Sequence, residues 1–138
     1  MKNLLRTSSL LVLLLALLSQ SSCKKDDISR AELLQQNVWN WDKASTNSTD
    51  PDVQGLVGLV DALMTGATLE FFDDGTYTIS SGTSTETGQW SLSDNEEKLI
   101  MDMDEMDIVK LTETELIMEG EETSNEYGTY SVILYWVK

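Results

Sequence analysis

Thr68-Leu69-Glu70-Phe71-Phe72-Asp73-Asp74-Gly75-Thr76-Tyr77-Thr78-Ile79 decides the fold. Leu69 and Phe71 alternate with polar neighbours, Tyr77 and Ile79 do the same, and Asp73-Asp74-Gly75 between them is turn chemistry. The stretch therefore reads as strand, tight turn, strand. Downstream the pattern recurs in Gly88-Gln89-Trp90-Ser91-Leu92, then, after an Asp94-Asn95 turn, in Leu99 to Met103, Ile108 to Leu111, Leu116 to Met118 and a long last strand from Tyr127 to Val137. Upstream, Val38-Trp39-Asn40-Trp41-Asp42 alternates and makes a first strand with both tryptophans on one face. Eight short strands joined by tight turns satisfy their edges best by closing into an all-β, eight-stranded up-and-down antiparallel barrel, with a sandwich as the rival arrangement.

Two helices interrupt the strands. Ser29 with Glu32 three residues on forms a capping box ahead of Leu33 and Leu34, which predicts a short N-terminal helix over 29–36. The polar run from Ala44 to Asp52 reads as a loop. Asp50 as N-cap and Pro51 at the first helical position then start a second helix, on which Val53, Leu56, Val57, Val60, Leu63 and Met64 recur at helical spacing until Gly66. Inserted between strands one and two, this helix is expected to cover one mouth of the barrel as a plug or lid.

The N-terminus carries an address. Lys2 and Arg6 precede an apolar run from Leu10 to Leu18, about half the roughly 20 residues a membrane-spanning helix needs, so a cleaved secretory signal over 1–22 is expected. Ser19-Gln20-Ser21-Ser22 followed by the single cysteine, Cys23, resembles the lipobox of bacterial lipoproteins, which implies acylation of Cys23. Several acyl chains at about 0.8 kcal/mol per buried methylene would hold the protein on a membrane. Lys24-Lys25-Asp26-Asp27 resembles the basic-then-acidic export tag of some Gram-negative surface lipoproteins, which implies an outer-membrane protein facing the outside of the cell. The division expected is thus a signal peptide over 1–22, a lipidated tether over 23–28 and one domain over 29–138.

Composition narrows function. The 138 residues include no histidine, one cysteine and one proline, which leaves no material for a Cys/His zinc site, an internal disulfide or a histidine base. The 9 basic and 24 acidic residues sum to −15, and loss of Lys2 and Arg6 with the leader takes this to −17. Nucleic acid needs clustered Lys and Arg and is not an expected partner; a basic protein is compatible with such a surface.

Trp39 on strand one, Thr68 to Phe71 with Asp74 to Tyr77, Gly88 to Leu92, and Ile108 to Leu116 together resemble the lipocalin-like domain family of bacterial lipoproteins over residues 33–137. The resemblance implies the barrel more firmly than any activity, since the family's bacterial members are mostly of unknown function.

Trp39, Phe71, Tyr77, Trp90, Met101, Met103, Met118 and Trp136 recur at alternating positions and are the candidate ligand-lining set. Soft methionines and flat aromatics suit a cavity for a small apolar or amphipathic guest. An eight-stranded barrel is also just wide enough for its own side chains to fill, so the same residues read equally as packed core, and more economically so. Asp102-Met103-Asp104-Glu105-Met106-Asp107 places four carboxylates in an expected turn, but Met106 interrupts the ligand spacing and no glycine follows; it reads as a solvated acidic rim, not a calcium site. No carboxylate pair stands out among so many, and neither a phosphate loop nor a Gly-x-Ser-x-Gly elbow occurs, so no catalytic residue, metal or cofactor is expected. The function expected is a non-enzymatic cell-envelope binding module for a small apolar or amphipathic ligand. The alternative is an interaction or inhibitor domain whose acidic surface meets a basic protein.

Overall fold

A computed structural model describes residues 28–138. The expected leader and Cys23 lie outside the described residues. The elements run α1 (Arg30–Gln35), β1 (Val38–Thr46), α2 (Pro51–Met64), β2 (Thr68–Phe71), β3 (Thr76–Ser81), β4 (Ser84–Leu92), β5 (Lys98–Met101), β6 (Asp104–Leu111), β7 (Glu115–Ser124) and β8 (Gly128–Val137). Each strand pairs antiparallel with the next, and β8 returns to β1, so the sheet is a closed up-and-down barrel. The rival sandwich is thereby excluded.

The deciding hairpin forms around Gly75, whose φ of +82° is cheap only for glycine. Asp74 Oδ1 accepts the Thr76 N–H at 2.9 Å and locks the turn. β2 then pairs with β3 through Leu69↔Ile79 and Phe71↔Tyr77, putting Leu69 and Phe71 in the core.

Several strands are longer than their apolar alternation predicts. Ala44, Ser45 and Thr46, expected in a loop, continue β1 opposite Leu134, Ile133 and Val132 of β8, past a bulge that skips Asp42. Barrel closure supplies the partners that make these polar residues a strand. β4 begins at Ser84, after a turn at Gly82 and Thr83, and β7 continues to Ser124; in both, the added residues include no buried one and lack an apolar rhythm.

The two ends of the barrel differ. At one end the Ser29 and Glu32 capping box forms as expected, and α1 drives Leu34 into full burial. The Leu34 carbonyl accepts the Trp39 Nε1–H at 3.0 Å, and buried Asn37 donates to the Glu113 carbonyl at 3.2 Å in the β6–β7 turn. These contacts shut that end. Above it, Phe71, Leu99 and Leu116 fill the lower barrel. The other end carries α2, N-capped by Asp50 and packed against β1.

Candidate functional site

α2 closes its end incompletely, because its apolar residues face two ways. Val53 and Val57 are buried against the barrel, whereas Leu56, Leu59, Val60 and Leu63 stay largely exposed, Leu63 at 68%. One polar side chain on the inner side fastens it: Asp61 Oδ1 accepts the Trp41 Nε1–H at 3.1 Å and the Ala44 backbone N–H at 2.9 Å. The helix stops at Gly66, where φ is +79°, and the chain re-enters the sheet as Trp41 N–H donates to the Ala67 carbonyl at 2.9 Å.

Beneath α2 lie two apolar chambers. The outer one, of about 310 Å³, is walled by Leu56, Val57 and Val60 of α2, Met106 of β6, Gly120 and Glu122 of β7, and Tyr130, Val132 and Leu134 of β8. The inner one, of about 130 Å³, is walled by Trp41, Met64, Leu69 and Ile79 on one side and Met101, Met118 and Trp136 on the other. Val60, Met106 and Leu134 belong to both walls, so the chambers adjoin. Gly120 keeps the outer chamber wide, since a Cβ there would already lie 3.7 Å from Met106 Cγ. The inner chamber exposes apolar atoms alone, and Glu122 is the one charged residue on the outer wall.

The residues singled out by alternation divide between the two ends. Met101, Met118 and Trp136 come together on the inner chamber. Trp39 is fully buried at the α1 end, bonded to Leu34, and Phe71 packs against Trp90, ring centroids 5.2 Å apart. Trp90 donates its Nε1–H to the Phe72 carbonyl at 3.0 Å and borders polar surface depressions. Met103 is a correction: it is 95% exposed at the tip of the two-residue β5–β6 turn and lines nothing. The turn reverses the chain there, which takes Met103 out of the alternation that Leu99 and Met101 follow.

Tyr77 serves a different structure. Its hydroxyl donates to Asp102 Oδ2 at 2.8 Å, while Asp102 Oδ1 accepts the Gln89 N–H at 2.9 Å, tying the β5–β6 turn to β3 and β4. Burial, the bond to Asp102 and the charges of Asp102, Glu86 and Asp104 push the Tyr77 hydroxyl up to about 12. The Gln89 N–H and then the Tyr77 hydroxyl hold the Asp102 carboxyl below its ordinary range. Only a glycine fits under this latch, because a Cβ on Gly88 would lie 2.5 Å from Asp102 Oδ2 and 2.6 Å from Tyr77 Cε1.

The acidic stretch is a second correction. The expected turn over 102–107 is confined to Asp102 and Met103, and β6 begins at Asp104. Glu105 and Asp107 then alternate outward along β6 and flank Lys98 at 2.5 and 3.6 Å. Lys110 pairs with Glu115, and Lys43 lies 4.8 Å over the Tyr135 ring. Among the described residues, no basic side chain lines either chamber.

A helix-closed lower end bearing a first-strand tryptophan, eight meandering antiparallel strands and a hollow upper end define a lipocalin-like barrel. An odorant-binding protein from bovine nasal mucosa is similar in fold, with a TM-score of 0.50 at 18% identity over 83% of this chain and 76% of that one. A DUF4847 family protein from Bacteroides vulgatus aligns with 77% of this chain and 96% of its own length, at 12% identity and a TM-score of 0.46. No family model matches the chain, and neither does any curated protein.

Proposed function

We propose that this chain is a non-enzymatic carrier that holds a small, neutral, apolar or amphipathic ligand in the two chambers under α2. The observation that carries this reading is the hollow itself. Buried side chains fill the lower barrel, yet the upper barrel leaves adjoining apolar space, the outer part about 310 Å³, within the range of small-molecule sites. Glu122 on the outer wall and the absence of a lining cation among the described residues select against a carboxylate guest. The lipocalin-like barrel is compatible with such a role.

The same reading places the domain on a cell envelope. Residues 1–22 act as the leader, Cys23 receives lipid, and 23–28 serve as the tether. Ile28 leads directly into α1, so attachment five residues earlier fastens the barrel by its closed end and turns the α2 mouth away from the membrane. This orientation suits capture of ligand from outside the cell.

The test is titration of the domain with the apolar fluorophore N-phenylnaphthylamine at low and high salt, alongside native mass spectrometry of protein purified from its own host. Saturable binding insensitive to salt is expected. Absence of saturable binding would refute the carrier reading; binding of a basic protein that weakens steeply with salt would replace it by an interaction domain working through the acidic surface.

A further inference from the structure

The two chambers differ in what they offer a guest. The inner one exposes apolar atoms alone, so nothing in it compensates the water that a polar group would lose on entering. The outer wall holds two polar side chains, Glu122 of β7 and Tyr130 of β8. Strand alternation puts both there. Glu122 follows Leu116, Met118 and Gly120 at every second position of β7, Tyr130 precedes Val132, Leu134 and Trp136 in the same way on β8, and the ladder sets Glu122 directly opposite Tyr130. Cross-strand partners share a face of the sheet, so these two side chains are neighbours on the inner face at the mouth.

The next pair along the same ladder, Thr123 and Thr129, bond each other hydroxyl to hydroxyl at 3.1 Å. Glu122 and Tyr130 make no such bond, and none of the ion pairs among the described residues takes up Glu122. Glu122 is exposed and Tyr130 half-buried, so water reaches this part of the wall. A carboxylate only accepts, whereas a phenol both donates and accepts. A hydroxyl is the neutral group that answers both, donating to Glu122 while accepting from Tyr130; an ether oxygen can use the phenol alone. From this we infer that the ligand is a hydroxyl-bearing amphiphile whose apolar chain fills the inner chamber and whose hydroxyl rests between Glu122 and Tyr130 at the mouth. This rests on the carrier reading and specifies the ligand's class and direction. The chain enters tail first, past Val60, Met106 and Leu134, which belong to both walls, and the head stays where water still reaches it.

The test compares two isomers, decan-1-ol and 1-methoxynonane, as displacers of N-phenylnaphthylamine from wild type and from Glu122→Met, which keeps the length of the side chain and removes the acceptor. The alcohol-to-ether affinity ratio is expected to fall about fivefold in the variant, the worth of one hydrogen bond at a water-accessible acceptor. Nuclear Overhauser contacts in the wild type give a reading independent of the variant's folding: the terminal methyl of decanol should lie near the Met101 and Met118 methyls, and its hydroxyl-bearing methylene near the Tyr130 ring. An unchanged ratio, or a chain seated the other way round, would refute the hydroxyl site while the carrier reading stands. Tighter binding of decylammonium than of decanol, lost at high salt, would also refute it, because charge and not hydrogen bonding would then select the head. If neither isomer displaces the fluorophore or binds directly, both readings fall.

Discussion

Asp61→Ala removes the main polar fastening between α2 and the barrel, leaving the longer bond from the Ser81 hydroxyl to the Leu63 carbonyl at 3.4 Å. Asp61 Oδ1 accepts two N–H groups, from the Trp41 indole at 3.1 Å and from Ala44 at 2.9 Å. Hydrogen bonds to a charged acceptor contribute about 1.5 to 3 kcal/mol each, and the half-buried setting places these at the low end. Together they stabilise the closed helix by about 3 kcal/mol, a factor of roughly a hundred in its opening equilibrium. Val53 and Val57 keep their burial in the variant, so the helix stays on the barrel most of the time but opens more often. Hydrogen exchange of the backbone amides over 57–64 reads this directly: protection should fall about a hundredfold in Asp61→Ala and by about half that free energy in Asp61→Asn, which keeps an acceptor without the charge. Ligand release should accelerate in the same order. Wild-type exchange over 57–64 in both variants would refute the view that Asp61 holds the lid.

Other perturbations address the chambers and the latch. Gly120→Leu puts a side chain into the outer chamber toward Met106, so affinity for an apolar fluorophore should drop more than tenfold with no loss in melting temperature, since glycine in a strand is itself a cost of roughly 0.5–1 kcal/mol; undiminished binding would move the site elsewhere. Gly88→Ala forces a Cβ to 2.5 Å from Asp102 Oδ2 and should lower stability by about 1–3 kcal/mol in urea titration, an effect that a neutral result would disprove. Tyr77 is raised from 10.0 to about 12, so its folded-state contribution is complete below pH 10 and lost as pH rises through about 12; absorbance titration should show a late tyrosine that Tyr77→Phe removes. Asp102 is shifted the other way, so its contribution is present above the ordinary value of 3.8 and lost as pH falls through the depressed folded one, a small acid-side effect that Asp102→Asn should abolish.

Alternation and turn chemistry are local, and they announce the barrel: Leu69 and Phe71 around the Asp73-Asp74-Gly75 turn, Leu99 and Met101, Leu116 and Met118 all alternate as half-buried strands must. The capping box at Ser29 and the Asp50-Pro51 start of α2 were equally legible, because a cap is made by residues three or fewer apart. Strand ends were not. Ala44 to Thr46 have no apolar rhythm and become strand only because β8 lies alongside, a partner some 90 residues away.

The site divides along the same line. Composition by itself excludes histidine and zinc chemistry, and the aromatic and methionine inventory already points to an apolar interior. Whether that interior is full or hollow depends on which end of the barrel each residue occupies, and alternation specifies a face of the sheet but not a height along it. Trp39 and Trp136 are alike in the sequence, yet one is bonded to α1 at the sealed end and the other lends its ring to the wall of the inner chamber. Asp61 is similar: on the helix it is a single acid in an apolar run, and only the approach of Trp41 and Ala44 from β1 makes it a fastening. The sequence determined the strands, the caps and the chemistry available; tertiary structure alone decided the cavity, because a void is a property of surfaces that meet from distant parts of the chain.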